Sequence, residues 1–429
     1  MTRTAARLRI LIVLALVAGS VGLAACGGDD EEEGPAGGEA SLDLVIGDLI
    51  PLSGDFADFG PPGEKAADLA VDQINAAVGE VGADHEVTIV HEDDETQPQP
   101  AVQATRKMVE ADDASCIAGA WASANTIPVA ESVTIPEEIL QITISTSDEI
   151  TELEDEGVVN RITPPDSFQG PALAEVMEDE LGTVEGKTVN VGARNDAYGT
   201  NLADAFSSAW EEKGGTVGEE VIYDPEQPSY DSEAGEIASG DPDAFAIIDF
   251  PETFNKVGPA LVRSGEWDPA RTWTVDGLAS SELPESAGEE ATEGMRGTVP
   301  GVPEGESAAK AFDELYTEAP GPEREAFDSH NFDNIILCYL SAVAAGSTEG
   351  PAMADQVREV SGPPGEEFTF EQLPEAIEAL QQGDDIDYQG ASGPIDMDDA
   401  GDTTAGVYDI WRFKGGAIDT FEEVPVPER

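Results

Sequence analysis

The sequence predicts an α/β protein made of two doubly wound lobes, and three observations carry that prediction. Short runs of β-branched and apolar residues alternate with amphipathic helical stretches, the pattern of βαβ units whose parallel sheet is covered on both faces. After a proline-bearing segment, Asn160 to Gly170, the same alternation starts again. The chain has 429 residues, and the roughly 390 that remain after its leader are enough for two separate cores.

The leader comes first. Arg3, Arg7 and Arg9 precede an apolar run, Ile10 to Ala18, and small residues follow up to Cys26. Charge, apolar core and small residues in that order read as a secretory signal over residues 1–25. The run is too short for a membrane-spanning helix, which needs about 20 apolar residues. "LAAC" resembles the bacterial lipobox, which implies cleavage before Cys26 and a lipid on that cysteine. The acidic, glycine-rich stretch that follows, residues 26–41, cannot bury enough apolar surface to offset its ordering entropy and reads as a flexible tether.

The body opens with a strand, Leu42 to Ile50, ending in the turn Pro51 to Gly54. Ala67, Ala70, Val71, Ile74 and Ala77 then recur at spacings of three and four, which gives a helix one apolar face. A strand at Val87 to Val90, an acidic loop and a helix from about Pro100 to Glu110 follow. Next come the strand Ser115 to Ala120, a helix starting near Asn125, and the short strand "LQITIS". The second series runs through "GKTVNVGARNDAYGTNLADAF", "DAFAIIDFPETFNKVG" and "TWTVDGLAS". The paired prolines of "NRITPPDSFQG" fit an extended crossover between the two series.

Charge excludes one class of partner. Ninety acidic residues against 20 basic give a formal charge of -70, so nucleic acid is repelled and no basic stripe offers it a foothold. Self-repulsion on this scale strains a folded chain unless salt screens it, and points to a protein that works at high salinity. Cys116 and Cys338 are the cysteines left for an extracellular bridge. Nothing in the sequence places them together, so two buried thiols are the favoured expectation.

Six segments, in order, carry a family resemblance: "IGDLIPLSGDFADFG", "DQINAAVG", "HEDDETQPQPAVQATRKMV", "GAWASANTIPVAE", "RNDAYGTNLADAF" and "SGPIDMDDAGD". From about Leu42 to Phe421 the chain resembles the solute-binding proteins of branched-chain amino acid ABC transporters, the type I periplasmic binding fold. The resemblance implies two lobes joined by three crossovers near Thr163, Val299 and Pro394, with a ligand in the cleft between them. Lobe 1 would then comprise residues 42–163 and 299–393, and lobe 2 residues 164–298 and 394–429. It further implies a monomer, hinge closure on the ligand, and delivery to the permease subunits of an ABC transporter.

Site residues follow from the same resemblance, each beside its chemistry. "WASANT" leads into a helix, where hydroxyls and free N–H groups suit a carboxylate; the family's carboxylate-binding serine matches Ser123. Ser145, Thr146 and Ser147 lie where the family adds further small-residue donors. Asp276, at the end of a strand, matches the family's acidic residue for the α-amine. Phe59, Tyr198 and Phe250 are expected to wall the apolar part, with Phe250 standing near a position where relatives often carry tyrosine.

Catalysis and cofactors find no support. His85, His91 and His330 fit neither zinc-ligand nor triad spacing, "HEDDE" reads as an acidic loop before it reads as a metal cluster, and "DMDDAGD" lacks calcium-loop spacing. No phosphate loop or nucleophile elbow appears. The reading is a lipid-anchored protein, held outside the cytoplasmic membrane, that captures a small zwitterion, most simply an aliphatic amino acid. An extracellular sensing module, or a site for an amide, urea or an aromatic acid, stands as the alternative.

Overall fold

The computed structural model describes residues 41–303, 305–404 and 406–425. The expected signal segment, Cys26 as the expected lipid site and all of the expected tether except Ser41 lie outside the described residues. None of the described helices is long and apolar enough to cross a membrane.

Two sheets organise the chain. The first consists of β1 (Leu42–Ile50), β2 (His85–Asp93), β3 (Cys116–Gly119), β4 (Leu140–Thr143) and β5 (Val159–Arg161) in the order β2-β1-β3-β4-β5, parallel throughout. The second contains β6 (Thr188–Arg194), β7 (Thr216–Tyr223), β8 (Ala244–Ile248), β9 (Thr272–Thr274) and β10 (Arg296–Gly301), again parallel. The chain then returns to the first lobe. It adds helices there and a small sheet of β11 (Glu366–Phe368), β12 (Ile386–Gly390) and β13 (Gly393–Pro394). It finishes in the second sheet with the antiparallel pair β14 (Val407–Lys414) and β15 (Ala417–Pro425), giving the order β15-β14-β10-β9-β8-β6-β7.

The alternation of side chains along β1 and β3 divides the first lobe into two cores. Leu44, Ile46, Cys116 and Ala118 pack toward the helices Gly60–Val81 and Asp328–Ala345. Leu49 and Ile117 face the opposite way, against Ala101, Ala104 and Met108 of the helix Pro98–Ala111. All five residues of the predicted apolar face, Ala67 to Ala77, are buried. The helix Asp328–Ala345 is buried on every side from Asp328 to Val343, as a helix in the centre of a packed layer must be.

Two expectations are corrected. Cys116 and Cys338 form a disulfide with Cα atoms 6.0 Å apart, because the helix Asp328–Ala345 lies across β3 and brings together residues separated by 222 positions. Only tertiary packing creates that proximity. The segment Asn160 to Gly170 is also not extended throughout: β5 ends at Arg161, and the helix Asp166–Leu181 starts directly after Pro165. A proline just ahead of a helix leaves the helical hydrogen bonds intact.

In both sheets the order reverses beside the first strand built, between β1 and β3 and between β6 and β8. Open α/β sheets bind ligands at such switch points, beyond the carboxyl ends of the strands. The loops after β1, β3 and β4 therefore face those after β6, β8 and β9.

Candidate functional site

These loops enclose a cavity of ≈ 10 Å³, to which Ser123 and Thr146 come from the first lobe and Tyr198, Phe250 and Asp276 from the second. Phe56, Trp121, Ile144 and Phe327 complete most of the wall. Phe56 of the first lobe and Phe250 of the second meet with ring centroids 4.4 Å apart, and Tyr198 stacks on Phe250 at 5.1 Å. The two lobes thus touch through aromatic faces directly over the cavity.

Asp276 follows β9 in a single tight turn and is 4% exposed. Its Oδ1 accepts hydrogen bonds from the Tyr198 hydroxyl at 2.8 Å and from Gln169 Nε2 at 3.1 Å. Tyr198 in turn accepts from the Gly277 amide at 3.2 Å. Glycine is required there, since a Cβ would stand 2.9 Å from that hydroxyl and 2.6 Å from the Asp249 carbonyl. Burial raises the pKa of Asp276, and the hydrogen bonds from Tyr198 and Gln169 offset part of the rise. The same burial, with Asp276 alongside, raises Tyr198 well above its ordinary value and keeps it a donor.

Sequence reasoning missed Asp166. It opens the helix Asp166–Leu181 one turn before Gln169, so both project from one face toward Asp276. Asp166 is fully buried, and neither carboxylate oxygen makes a hydrogen bond. Burial raises its pKa well above the ordinary carboxylate value; the Thr146 side chain lowers it, while Asp276 and Asp148 raise it further. The cation that acts on it, Arg161, is bound to Asp402 at 2.7 Å. Among the described residues neither Asp166 nor Asp276 has an ion-pair partner. A buried carboxylate without a cation is costly, so a positive charge brought to the cavity beside Asp276, with Asp166 behind it, would favour the ionised form.

On the other side of the cavity stand hydroxyls. Ser123 begins a helix, Ser123–Val129, and its Oγ accepts from the Ser147 amide at 3.1 Å, which leaves its own proton free to donate. Thr146 lines the cavity, and its carbonyl accepts from the Asp166 amide at 2.8 Å. The structure does not bring Ser145 and Ser147 to the cavity. Alternation past β4 turns them inward: Ser145 Oγ bonds Thr126 Oγ1 at 2.7 Å, and Ser147 Oγ accepts from the Glu149 amide. Ser147 positions Ser123 through its backbone. Phe59 is likewise set behind the wall, fully buried, with Phe56 in front of it at 4.5 Å between centroids.

The "HEDDE" segment is structural. His91 Nδ1 lies 2.7 Å from Asp48 Oδ2 and Nε2 lies 3.2 Å from Asp68 Oδ1. Among the described residues no group of three or more His, Cys, Asp or Glu side chains is placed to hold a metal ion.

The comparisons with known proteins bear on the family and the fold. Residues 43–416 match the model of the periplasmic binding protein family. A chemotactic signal transduction system substrate-binding protein of Halobacterium salinarum is 26% identical over 396 residues, covering 89% of this chain and 90% of that protein. The branched-chain amino acid transporter substrate-binding protein LivJ of Streptococcus pneumoniae, solved in complex with isoleucine, superposes with a TM-score of 0.72 at 21% identity, covering 89% and 99% of the two chains. A solute-binding protein of an ABC transporter from R. palustris, solved with benzoate, gives a TM-score of 0.69 at 18% identity over 90% and 98%. The fold is that of the type I periplasmic binding proteins, and the curated relatives are substrate-binding proteins, not enzymes. With two lobes, a cleft at both switch points and a family match across nearly all of its body, this chain belongs to the periplasmic binding protein family.

Proposed function

We propose that the protein captures a small amino acid in the interlobe cleft, closes around it and hands it to the permease of an ABC transporter, while a lipid on Cys26 holds it at the outer face of the cytoplasmic membrane. It does so as a monomer. The observation that carries the ligand class is the buried carboxyl of Asp276 on the cavity wall, with Asp166 buried close by and, among the described residues, no ion-pair partner for either. An α-ammonium group supplies the missing charge. The hydroxyls of Ser123 and Thr146 receive the carboxylate, and the rings of Phe56, Tyr198 and Phe250 enclose the apolar part. Benzoate, the ligand of one structural neighbour, carries no ammonium and would bring a carboxylate to a cavity whose wall already holds the Asp276 carboxyl.

The test is a thermal-shift and calorimetric screen of the purified protein against amino acids, amides, urea and aromatic acids. A ligand that binds only the native state raises the melting temperature by mass action. Amino acids are expected to do so, with affinity at least 100-fold lower in Asp276→Asn; a shift confined to ligands without an amine removes Asp276 and Asp166 from this role. Cys26→Ser is expected to release the protein from the membrane fraction.

A second reading, ligand sensing, is favoured by the likeness to a substrate-binding protein of a chemotactic signal transduction system. In that case the closed form reports to a membrane receptor instead of a permease. A pull-down of the ligand-bound protein with solubilised membrane separates the two, since each predicts a different partner.

A further inference from the structure

Phe327 lines two cavities. One is the cleft of ≈ 10 Å³ described above, and the other is a chamber of ≈ 350 Å³ that opens to solvent. The first is far smaller than the roughly 300 Å³ at which ligand pockets begin, and the second reaches that size. Val299, Val302, Trp411 and Ile418 give the chamber an apolar wall on the side of the second sheet. Its acidic groups from the first lobe are already engaged: Asp328 with Arg324 at 2.7 Å, and Glu325 with the amide of Ser281 at 3.1 Å.

The backbone of Phe327 is unusual for its residue type. At φ 72° and ψ −7° it occupies the left-handed region, which a bulky side chain rarely adopts and which costs of order 1–3 kcal/mol. Its ring lies 5.6 Å from Phe59, 5.9 Å from Phe56 and 6.2 Å from Trp121, centroid to centroid. Phe327 thus fills the cleft with a ring held by a strained backbone, next to a space large enough to accept that ring.

We propose that Phe327 is a movable partition: its ring swings into the adjoining chamber when ligand enters, and the space it vacates in the cleft receives the ligand's side chain. The protein therefore selects amino acids with bulky apolar side chains, branched or aromatic, over alanine and glycine. This inference rests on the amino-acid reading above.

Val302 is half-buried on the chamber wall, so Val302→Trp fills the chamber without touching the cleft. Affinities for leucine and alanine are measured by calorimetry in the intact protein, in Val302→Trp, in Phe327→Gly and in the double variant. Glycine suits the left-handed backbone and removes the ring. Val302→Trp is expected to lower the leucine-to-alanine affinity ratio at least tenfold, and the same substitution in the Phe327→Gly background to change it less than twofold. An unchanged ratio in Val302→Trp overturns the partition, as does an effect of equal size with and without the Phe327 ring. If the unaltered protein binds no amino acid at all, the amino-acid reading itself fails, and the partition with it.

Discussion

Asp55, in the turn after β1, accepts a hydrogen bond of 3.2 Å from Arg194 across the mouth of the cleft. Thr253 adds a second at 2.9 Å from the opposite lobe. The Arg194 guanidinium is buried, paired also with Asp196 and Asp249, and lies 3.8 Å from the centroid of the Phe250 ring. Asp55 is therefore the residue by which the first lobe grips a charge fixed in the second. Asp55→Asn is expected to favour the open form, enlarge the radius of gyration seen by small-angle scattering, and weaken ligand binding about tenfold, or about 1.4 kcal/mol. Identical scattering in the two proteins would remove the clasp from the closing equilibrium.

The Cys116–Cys338 bridge closes a loop of 222 residues, for which chain entropy gives a stabilisation of about 5 kcal/mol, with measured bridges spanning about 2–5. Reduction, or the double substitution Cys116→Ala and Cys338→Ala, is expected to lower the melting temperature by about 5–10 °C and leave ligand affinity within twofold, since both sulfurs are remote from the cavity lining.

His91 sets a pH dependence. Burial lowers its pKa, but the hydrogen bonds and charges of Asp48 and Asp68 outweigh that and raise it to about 9. A histidine with a folded pKa above its unfolded value of about 6.5 stabilises the native state fully below pH 6.5, and this contribution is lost as the pH rises through about 9. Denaturant titrations are expected to show about 1–3 kcal/mol less stability at pH 9.5 than at pH 6. His91→Gln should flatten that difference.

The charge of -70 predicts that salt stabilises the fold. Self-repulsion among surface carboxylates is screened within a few ångströms at molar ionic strength. The melting temperature is expected to rise by about 10 °C or more between 0.1 M and 2 M NaCl. Equal values would show that local ion pairs already neutralise the strain.

Local pattern made the elements legible because it reflects local geometry: the face Ala67 to Ala77 was readable from spacing, and the strand Leu42 to Ile50 from its apolar and β-branched run and the turn that ends it. Among the site residues, Ser123, Thr146, Tyr198, Phe250 and Asp276 reach the cavity wall. Ser145, Ser147 and Phe59 do not, and the reason is parity. One step along the extended chain after β4, or one turn along the segment after β1, reverses what a side chain faces, and composition does not fix that register. Asp166 had a weak signal in its Pro-Pro-Asp context at a helix start. Phe327 had none, because the loop that carries it reaches the cleft only after the chain has crossed to the second lobe and returned.

That return has a consequence for how the protein is made. The first sheet is complete once Arg161 is in place, yet the buried helix that covers one of its faces, Asp328–Ala345, follows the whole parallel part of the second sheet. A chain emerging from its N-terminus has that apolar face covered only in part, by the helix Gly60–Val81, and Cys116 a free thiol, until Cys338 arrives. During that interval Cys116 can react with other thiols and the uncovered part of the face can aggregate, so escape from both depends on how quickly the last third of the chain is delivered.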